Sequence, residues 1–498
     1  MAKKFHNFIN GKWVEAESGE TFENRNPAHW EEVIGIFPKS GKKDVEKATE
    51  AAVQHREEWA NLPVPERGKI LGKVGDIMVQ RKEEIAKLMT REMGKILKET
   101  RGDTQEGIDT AYYAFGEARR LFGVTSPCEL PNKTAYTITK PVGTAGIITP
   151  WNFPMAIPCW KIFPALLMGN TIVFKSASDT PATTVKLVEI LTEGGVPKGV
   201  VNLVHGPGST VGEAILEQPE IGVISFTGSA AVGRRVAEVA GKNLKRVSLE
   251  LGGKNPQIVM PDANIENAIE GVLWGAFGTT GQRCTATSRL LLHRDIYNEF
   301  LDILVKRTKE LKIGDGLVES TDVGPVINEP QLKKILNYVD IGKQEGAKLF
   351  FGGKRITGGK YDKGFFMEPT IFTEVESGMR IEQEEIFGPV LSVIKISSFE
   401  EGIQIANDVD YGLSSSIYTS NIEWAMKAID KLEAGLVYVN APTIGAECHL
   451  PFGGYKNTGN GHREGGKWPY EVFGEIKTVY IDYSEKLQKA QIDTNITK

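Results

Sequence analysis

A large α/β architecture built on parallel, doubly wound sheets is what this chain predicts, and three observations predict it. Short apolar runs alternate with helical patterns twice over, once between Gly143 and Leu251 and again from Asn255 onward, which is the pattern of buried parallel strands with crossover helices. The 54 glycines fall mostly at turns between those runs, unlike the composition of a repeat array or a disordered chain. The 498 residues exceed one simple hydrophobic core, so two or three domains are expected.

Each element has its own signal. Residues 8–14 read as a hairpin, with Asn10-Gly11 supplying a turn that needs positive φ. From Lys42 to about Gly123 the spacing is helical. Val45, Ala48, Ala52 and Trp59 share a face, and Pro65 opens a helix at its first turn. That region is expected to be scaffold without chemistry. Residues 133–140 alternate around Tyr136 and Ile138 as a two-faced strand does, a candidate arm for oligomer formation. The first doubly wound set has strands at 145–149, 171–174, 200–204, 223–226 and 247–251, with a helix at 182–192 ended by Gly194-Gly195. The second has strands at 257–260, 289–293, 391–396 and 436–440 and helices at 296–311 and 331–345. Residues 475–483 read as a strand that pairs with the 133–140 arm, the polar residues beyond it being frayed.

Bulk properties exclude several classes. Net charge is -5 with mixed signs, so no basic field points to nucleic acid. The 4 cysteines, Cys128, Cys159, Cys284 and Cys448, are widely spaced without a CxxC pair. This argues against a disulfide framework or a structural metal site and for a reducing compartment. Neither an apolar signal core behind Lys3-Lys4 nor a run of ~20 apolar residues is present in the sequence. A cytoplasmic protein without membrane or nucleic-acid partners is expected.

Polar punctuation closes the strands of the first set, where doubly wound sheets bind ligands. Thr149-Pro150-Trp151-Asn152-Phe153-Pro154 follows the first, Lys175-Ser176-Ala177-Ser178-Asp179 the second, and His205-Gly206-Pro207-Gly208 with Gly212 the third. Thr227-Gly228-Ser229 follows the fourth and opens a helix, and Glu250 with Gly252-Gly253 ends the fifth. Gly-Ser at a helix N-terminus suits phosphate. Cys284, in Gly281-Gln282-Arg283-Cys284, lies on the short connection between a helix and a strand. Two readings stand: a small buried hydrophobe, or a reactive thiol that Arg283 and turn N–H groups shift toward thiolate.

The TPWNFP, Phe226-Thr227-Gly228-Ser229, Leu249-Glu250-Leu251-Gly252-Gly253-Lys254, Gly281–Cys284, Glu385-Ile386-Phe387-Gly388-Pro389, Pro451–Gly454 and Gly461–Glu464 segments together resemble the aldehyde dehydrogenase superfamily, in matching order over nearly the whole chain. The resemblance implies that family's fold, with a Rossmann-like NAD(P)-binding domain (1–123 and 142–253), an α/β catalytic domain (254–473) and a small β oligomerisation flap (124–141 and 474–498). It implies homodimers or homotetramers, an aldehyde substrate and NADP or NAD as cofactor. It makes Cys284 the nucleophile, Asn152 with the Cys284 N–H the oxyanion hole, Glu250 the general base, and Lys161 with Glu464 a supporting proton relay. Ile148, Pro150, Trp151, Lys175, Ser178, Gly208, Gly212, Phe226, Gly228, Ser229, Leu251, Glu385 and Phe387 would hold the cofactor. Phe153, Trp160, Arg283 and Phe452 would line the substrate path, and no metal is expected.

The chemistry of these residue types agrees. Thiolate addition turns an aldehyde into a tetrahedral alkoxide that can expel hydride, and Asn152 would donate to the developing oxyanion. A thioester remains, for which Glu250 can activate water. Glu250 argues against the CoA-acylating variant, which generally lacks that base. Retention of Cys284, Glu250 and Asn152 argues against a non-catalytic structural protein on the same fold. Many NAD-preferring relatives carry Glu at the position of Ser178, so NADP is expected to be accepted, unless Ser178 only caps the next helix. The segments 157–161, 281–289 and 441–452 look most like 2-oxoglutarate semialdehyde dehydrogenases. Arg283 could meet a substrate carboxylate, lower the thiol pKa or pair with a neighbouring carboxylate. The three aromatics would also suit a neutral aldehyde.

Overall fold

Two seven-stranded sheets and a three-stranded arm organise the chain. The computed structural model describes residues 2–121 and 123–493. In the first sheet the parallel strands lie in the order Arg246–Glu250, Ile221–Thr227, Thr144–Ile148, Thr171–Lys175, Val201–Leu203. The N-terminal hairpin, Asn7–Ile9 with Lys12–Val14, extends it antiparallel beyond the last of these. Asn10 and Gly11 at its turn have φ of 50° and 75°, as an Asn-Gly hairpin requires. Strand order reverses beside Thr144–Ile148, which pairs Thr171–Lys175 on one side and Ile221–Thr227 on the other. The crevice outside their carboxyl ends is the switch point at which such sheets take ligands.

Side-chain alternation explains why helices cover both faces. Ile147, Ile172 and Phe174 point into one core with Trp59, Leu71 and Phe163, while Ile148, Val173 and Ile224 point into another with Val45, Ala48 and Val211. The second sheet repeats the device. Its order is Lys348–Phe351, Thr370–Thr373, Val390–Ile396, Thr287–His293, Asn255–Val259, Ser414–Tyr418, Leu436–Val439, all parallel except the first. Ile258, Leu291 and Ile394 face one core, Val259, Leu290 and Val393 the other. The strand Gly474–Asp482 pairs antiparallel with Lys133–Pro141 along its whole length, and Thr125–Ser126 flanks the latter.

The expected elements occur, most with ends shifted by up to three residues, as the helix read at 331–345 is Glu329–Gln344, while the helical region read to about Gly123 ends at Glu117. The sheet of Lys3–Lys4, His29–Pro38 and Thr21–Asn26 was not read from the sequence, nor were Lys348–Phe351, Thr370–Thr373 and Ser414–Tyr418. Residues 494–498, read as a frayed end, lie outside the described residues. The region 42–123 forms four helices, Lys42–Asn61, Val64–Gln80, Lys82–Met93 and Leu97–Glu117. The expectation that it carries no chemistry needs correction: the last helix forms a wall of the main cavity, placing Glu99, Asp103, Glu106 and Asp109 there. These residues recur every three or four positions, so one helix face presents them all. Among the described residues, no helix is long and apolar enough to cross a membrane.

Candidate active site

A cavity of about 750 Å³ opens between the two sheets, and Cys284, Glu250, Lys161, Glu464, Phe153, Trp160, Arg283, Leu251 and Phe452 all line it. Cys284 sits on a turn that enters strand Thr287–His293 of the second sheet, while Glu250 ends a strand of the first. The thiol turn is pinned from below. Asn255 Nδ2 donates to the carbonyls of Cys284 at 2.7 Å and Ala286 at 2.9 Å. A Cβ at Gly253 would lie 2.4 Å from the Cys284 carbonyl oxygen, so only glycine lets the strand end approach this closely. Asn152, on the turn after Thr144–Ile148, donates its amide to the Gln282 carbonyl at 3.2 Å. An amide nitrogen has two hydrogens, so one remains for another acceptor; Asn152 itself is buried and is not among the residues lining the cavity.

Electrostatics correct one expectation. Burial, then the carboxylates of Glu385 and Glu250, push the Cys284 thiol up to about 12, against hydrogen bonds from its own turn. Arg283 does not draw it down, because the guanidinium is turned elsewhere: Nη2 donates to Glu99 Oε1 at 2.8 Å and Nε to Thr279 Oγ1 at 2.8 Å. Burial, with repulsion from Glu464, likewise raises Glu250 well above the usual carboxylate range. Both its oxygens are buried without a hydrogen-bond partner among the described residues, which suits them to meet water or substrate. Glu464 is held beside it: Lys161 Nζ donates to Glu464 Oε1 at 2.5 Å and to Ser225 Oγ at 2.9 Å. Phe452 and Glu464 exchange backbone hydrogen bonds of 2.7 Å, which couples the aromatic wall to this pair. Trp160 packs edge-on against Phe452 at 5.1 Å. Phe153 carries the Lys95 ammonium on its face, 3.3 Å from the ring centre, and Lys95 pairs with Asp103 at 2.9 Å with both side chains fully buried. Ser225, Glu99, Lys95 and Asp103 were absent from the sequence reading, since their partners are distant in the chain and no local pattern marks them.

The expected cofactor residues gather at the carboxyl edge of the first sheet. Lys175 ends its strand, Ser178 Oγ donates to the Gly206 carbonyl at 3.2 Å, and Gly208 and Gly212 bound the turn after Val201–Leu203. Ile148 ends the central strand, with Pro150 and Trp151 next in the chain, and Phe226 lies at the end of the neighbouring strand. Gly228 and Ser229 open helix Ala230–Lys242, with the Ser229 hydroxyl accepting from the Val232 N–H at 3.4 Å. Leu251 follows Glu250, its N–H donating to the Thr458 carbonyl at 2.7 Å. Across the cleft Glu385 accepts from the Gly253 N–H at 3.1 Å, and Phe387 meets Trp151 edge-on at 5.4 Å. These residues fit a dinucleotide. The hydroxyls of Thr149 and Ser176 are buried without partners among the described residues, burial lowers Lys175 to about 8, and a helix N-terminus faces the same edge. Such unpaired buried donors are costly unless a ligand completes them.

Comparison with known proteins matches this geometry. The family model described as "Aldehyde dehydrogenase family" matches residues 13–479. An alpha-ketoglutaric semialdehyde dehydrogenase of Bacillus subtilis is 46% identical over 475 residues, covering 95% of this chain and 97% of that one. A betaine aldehyde dehydrogenase from Staphylococcus aureus, solved in complex with NAD+, superposes with a TM-score of 0.94 at 36% identity, covering 97% of this chain and 96% of that one. A 3,6-anhydro-L-galactose dehydrogenase solved with NADP superposes with a TM-score of 0.93 at 36% identity, covering 96% and 100%. A thiol-bearing cleft between two doubly wound sheets, matched along nearly its full length, places this chain in the aldehyde dehydrogenase family, oxidoreductases that convert an aldehyde to the acid with reduction of NAD or NADP.

Proposed function

We propose that the chain oxidises a semialdehyde carrying a carboxylate at its far end, with Cys284 as the nucleophile. The observation that carries the reading is the convergence of Cys284, Glu250 and Arg283 on one cavity. NAD or NADP, when bound, accepts the hydride. Ile148, Pro150, Trp151, Lys175, Ser178, Gly208, Gly212, Phe226, Gly228, Ser229, Leu251, Glu385 and Phe387 would hold it. The residues of the chain do the rest. Cys284 releases its proton to solvent, the thiolate Sγ attacks the carbonyl carbon, and Asn152 with the Cys284 N–H meets the oxygen charge, a contact type worth about 2.7–4 kcal/mol. After hydride loss the thioester is cleaved by water that Glu250 deprotonates. The raised affinity of this carboxylate for a proton suits it to that task, and Lys161 with Glu464 relays the proton outward. The far end of the substrate lies against Phe153, Trp160 and Phe452, its carboxylate toward Arg283, whose cation retains N–H groups beyond its contacts with Glu99 and Thr279. The similarity to an enzyme named for alpha-ketoglutaric semialdehyde supports the substrate class.

The same reading takes residues 1–123 and 142–253 as the cofactor domain, 254–473 as the catalytic domain, and 124–141 with 474–498 as a flap that joins copies into dimers or tetramers. Pre-steady-state kinetics test the roles. Cys284→Ala should bind cofactor and produce no reduced cofactor. Glu250→Gln should keep the burst but lose steady turnover by roughly 10²–10⁴-fold. Near-normal steady turnover in Glu250→Gln overturns the assignment.

A further inference from the structure

Of the cavity carboxyls that the mechanism does not use, Asp103, Glu106, Asp109 and Glu447, Glu106 is the one without a polar partner among the described residues. Glu106 projects from helix Leu97–Glu117 into the same cavity as Cys284. Its oxygens have neither a hydrogen-bond nor an ion-pair partner among the described residues, whereas the neighbouring acids are engaged. Asp103 pairs with Lys95, Asp109 accepts from Gln105 at 2.8 Å, and Glu99 holds Arg283. Arg283 uses Nε and Nη2, while its Nη1 has no partner among the described residues. An unpaired acid and an unspent guanidinium edge therefore face one cavity whose other walls are largely Phe153, Ile157, Trp160, Ile444 and Phe452.

We propose that Glu106 is a specificity-determining residue: its carboxyl hydrogen-bonds the distal carboxylate of the substrate, which Arg283 Nη1 also meets. The assignment rests on the substrate class proposed above. The neutral acid is the form that can donate, and an O–H···O⁻ bond to a carboxylate is of the strong, charge-assisted kind. Several elements set the protonation. Burial, then Asp103 and Asp109 of the same helix, raise Glu106 to about 8 against Lys95 and Arg283. Cys159, Tyr438 and Glu447 with His449 close the surroundings from the helix, strand and loop opposite. Once ionised, Glu106 repels the carboxylate it had bound.

The test is the ratio of kcat/KM for 2-oxoglutarate semialdehyde to that for pentanal, followed from about pH 6.5 to about 9.5, a window spanning the Glu106 ionisation. Losses common to both aldehydes, including ionisation of Cys284 or Glu250 and any folding defect, cancel in the ratio. In the wild type the ratio should be high at neutral pH and fall roughly tenfold per pH unit above about pH 8. Glu106→Gln keeps a donor that cannot ionise, so its ratio should stay within about threefold of wild type at pH 7 and show no fall. Glu106→Leu should lower the neutral-pH ratio at least about tenfold, mainly through KM. An unchanged ratio in Glu106→Leu, or a persisting fall in Glu106→Gln, overturns the assignment. If the wild type does not prefer the semialdehyde at all, the substrate class is wrong and the assignment fails with it. A preference that Arg283→Gln removes and Glu106→Leu leaves intact defeats Glu106 alone.

Discussion

At Cys284 the decisive quantity is the cost of charge on a half-buried thiol. A thiol beside an arginine reads in sequence as activated, yet that arginine is paired with Glu99, and burial with two carboxylates holds the thiol protonated. Alkylation reports this directly. Thiolate is the reacting form, and a raised pKa means its fraction is small at neutrality and grows about tenfold per pH unit. Iodoacetamide inactivation of the ligand-free protein should therefore keep accelerating from about pH 7 to about pH 10, and a plateau near neutrality would contradict the site described here. The residues with chemistry in their motifs, Cys284, Glu250 and Asn152, were legible because short strand-end segments carry them. Glu99 and Glu106 were not. Nothing near them in sequence announces that a surface-patterned helix presents its acidic face to the cavity, and Arg283 finds its partner 184 residues away.

Elements were legible where periodicity was strong, as in the alternation of apolar strands with helices, and illegible where tertiary pairing overrides a weak local pattern. Thr21–Asn26 is rich in polar residues and is a strand because His29–Pro38 pairs with it. The loop after Thr171–Lys175 shows the same limit. The sequence leaves Ser178 open as a cap for the following helix, but the capping position of Pro181–Gly194 is Thr180, and Ser178 turns instead to the Gly206 carbonyl. That orientation leaves a neutral side chain near Lys175 on the cofactor edge, where a ribose phosphate would restore the lysine charge that burial weakens. NADP should thus be used efficiently, and Ser178→Glu should shift the NADP-to-NAD ratio of kcat/KM toward NAD by about tenfold or more, since a carboxylate there repels phosphate. A strong NAD preference in the wild-type protein goes against this.

At the scale of the whole molecule, the three-stranded arm bears on assembly. Gly474–Asp482 lies at the edge of its sheet and exposes Ile476 to 74% and Tyr480 to 69%. An apolar edge strand of this kind is a pairing hazard unless something covers it. If the arm joins copies of the chain, Ile476→Lys with Tyr480→Lys should lower the mass seen by light scattering from dimer or tetramer toward monomer. An unchanged mass argues that contacts elsewhere hold the assembly. The arm itself was readable from alternation at 133–140 and 475–483, because a solvent-facing ribbon keeps the period of two that buried strands lose.

The turn before Cys284 is a loaded one. Thr279 and Thr280 hold φ of 52° and 56°, a conformation β-branched residues rarely adopt and one costing about 1–3 kcal/mol each. Glu99 accepts the Thr279 N–H at 2.7 Å and grips Arg283, while a Cβ at Gly281 would strike the Gly388 carbonyl at 2.2 Å. The thiol turn, Arg283 on the cavity wall and the Glu385–Gly388 loop are thus packed against one another as a single unit. Lineages adapting this enzyme to another aldehyde have little freedom to edit Arg283 or Glu99 without resetting the nucleophile. Their accessible route runs through Glu106, farther along the helix that carries Glu99, and through the loop bearing Cys448, neither of which hydrogen-bonds the Thr279–Arg283 turn among the described residues.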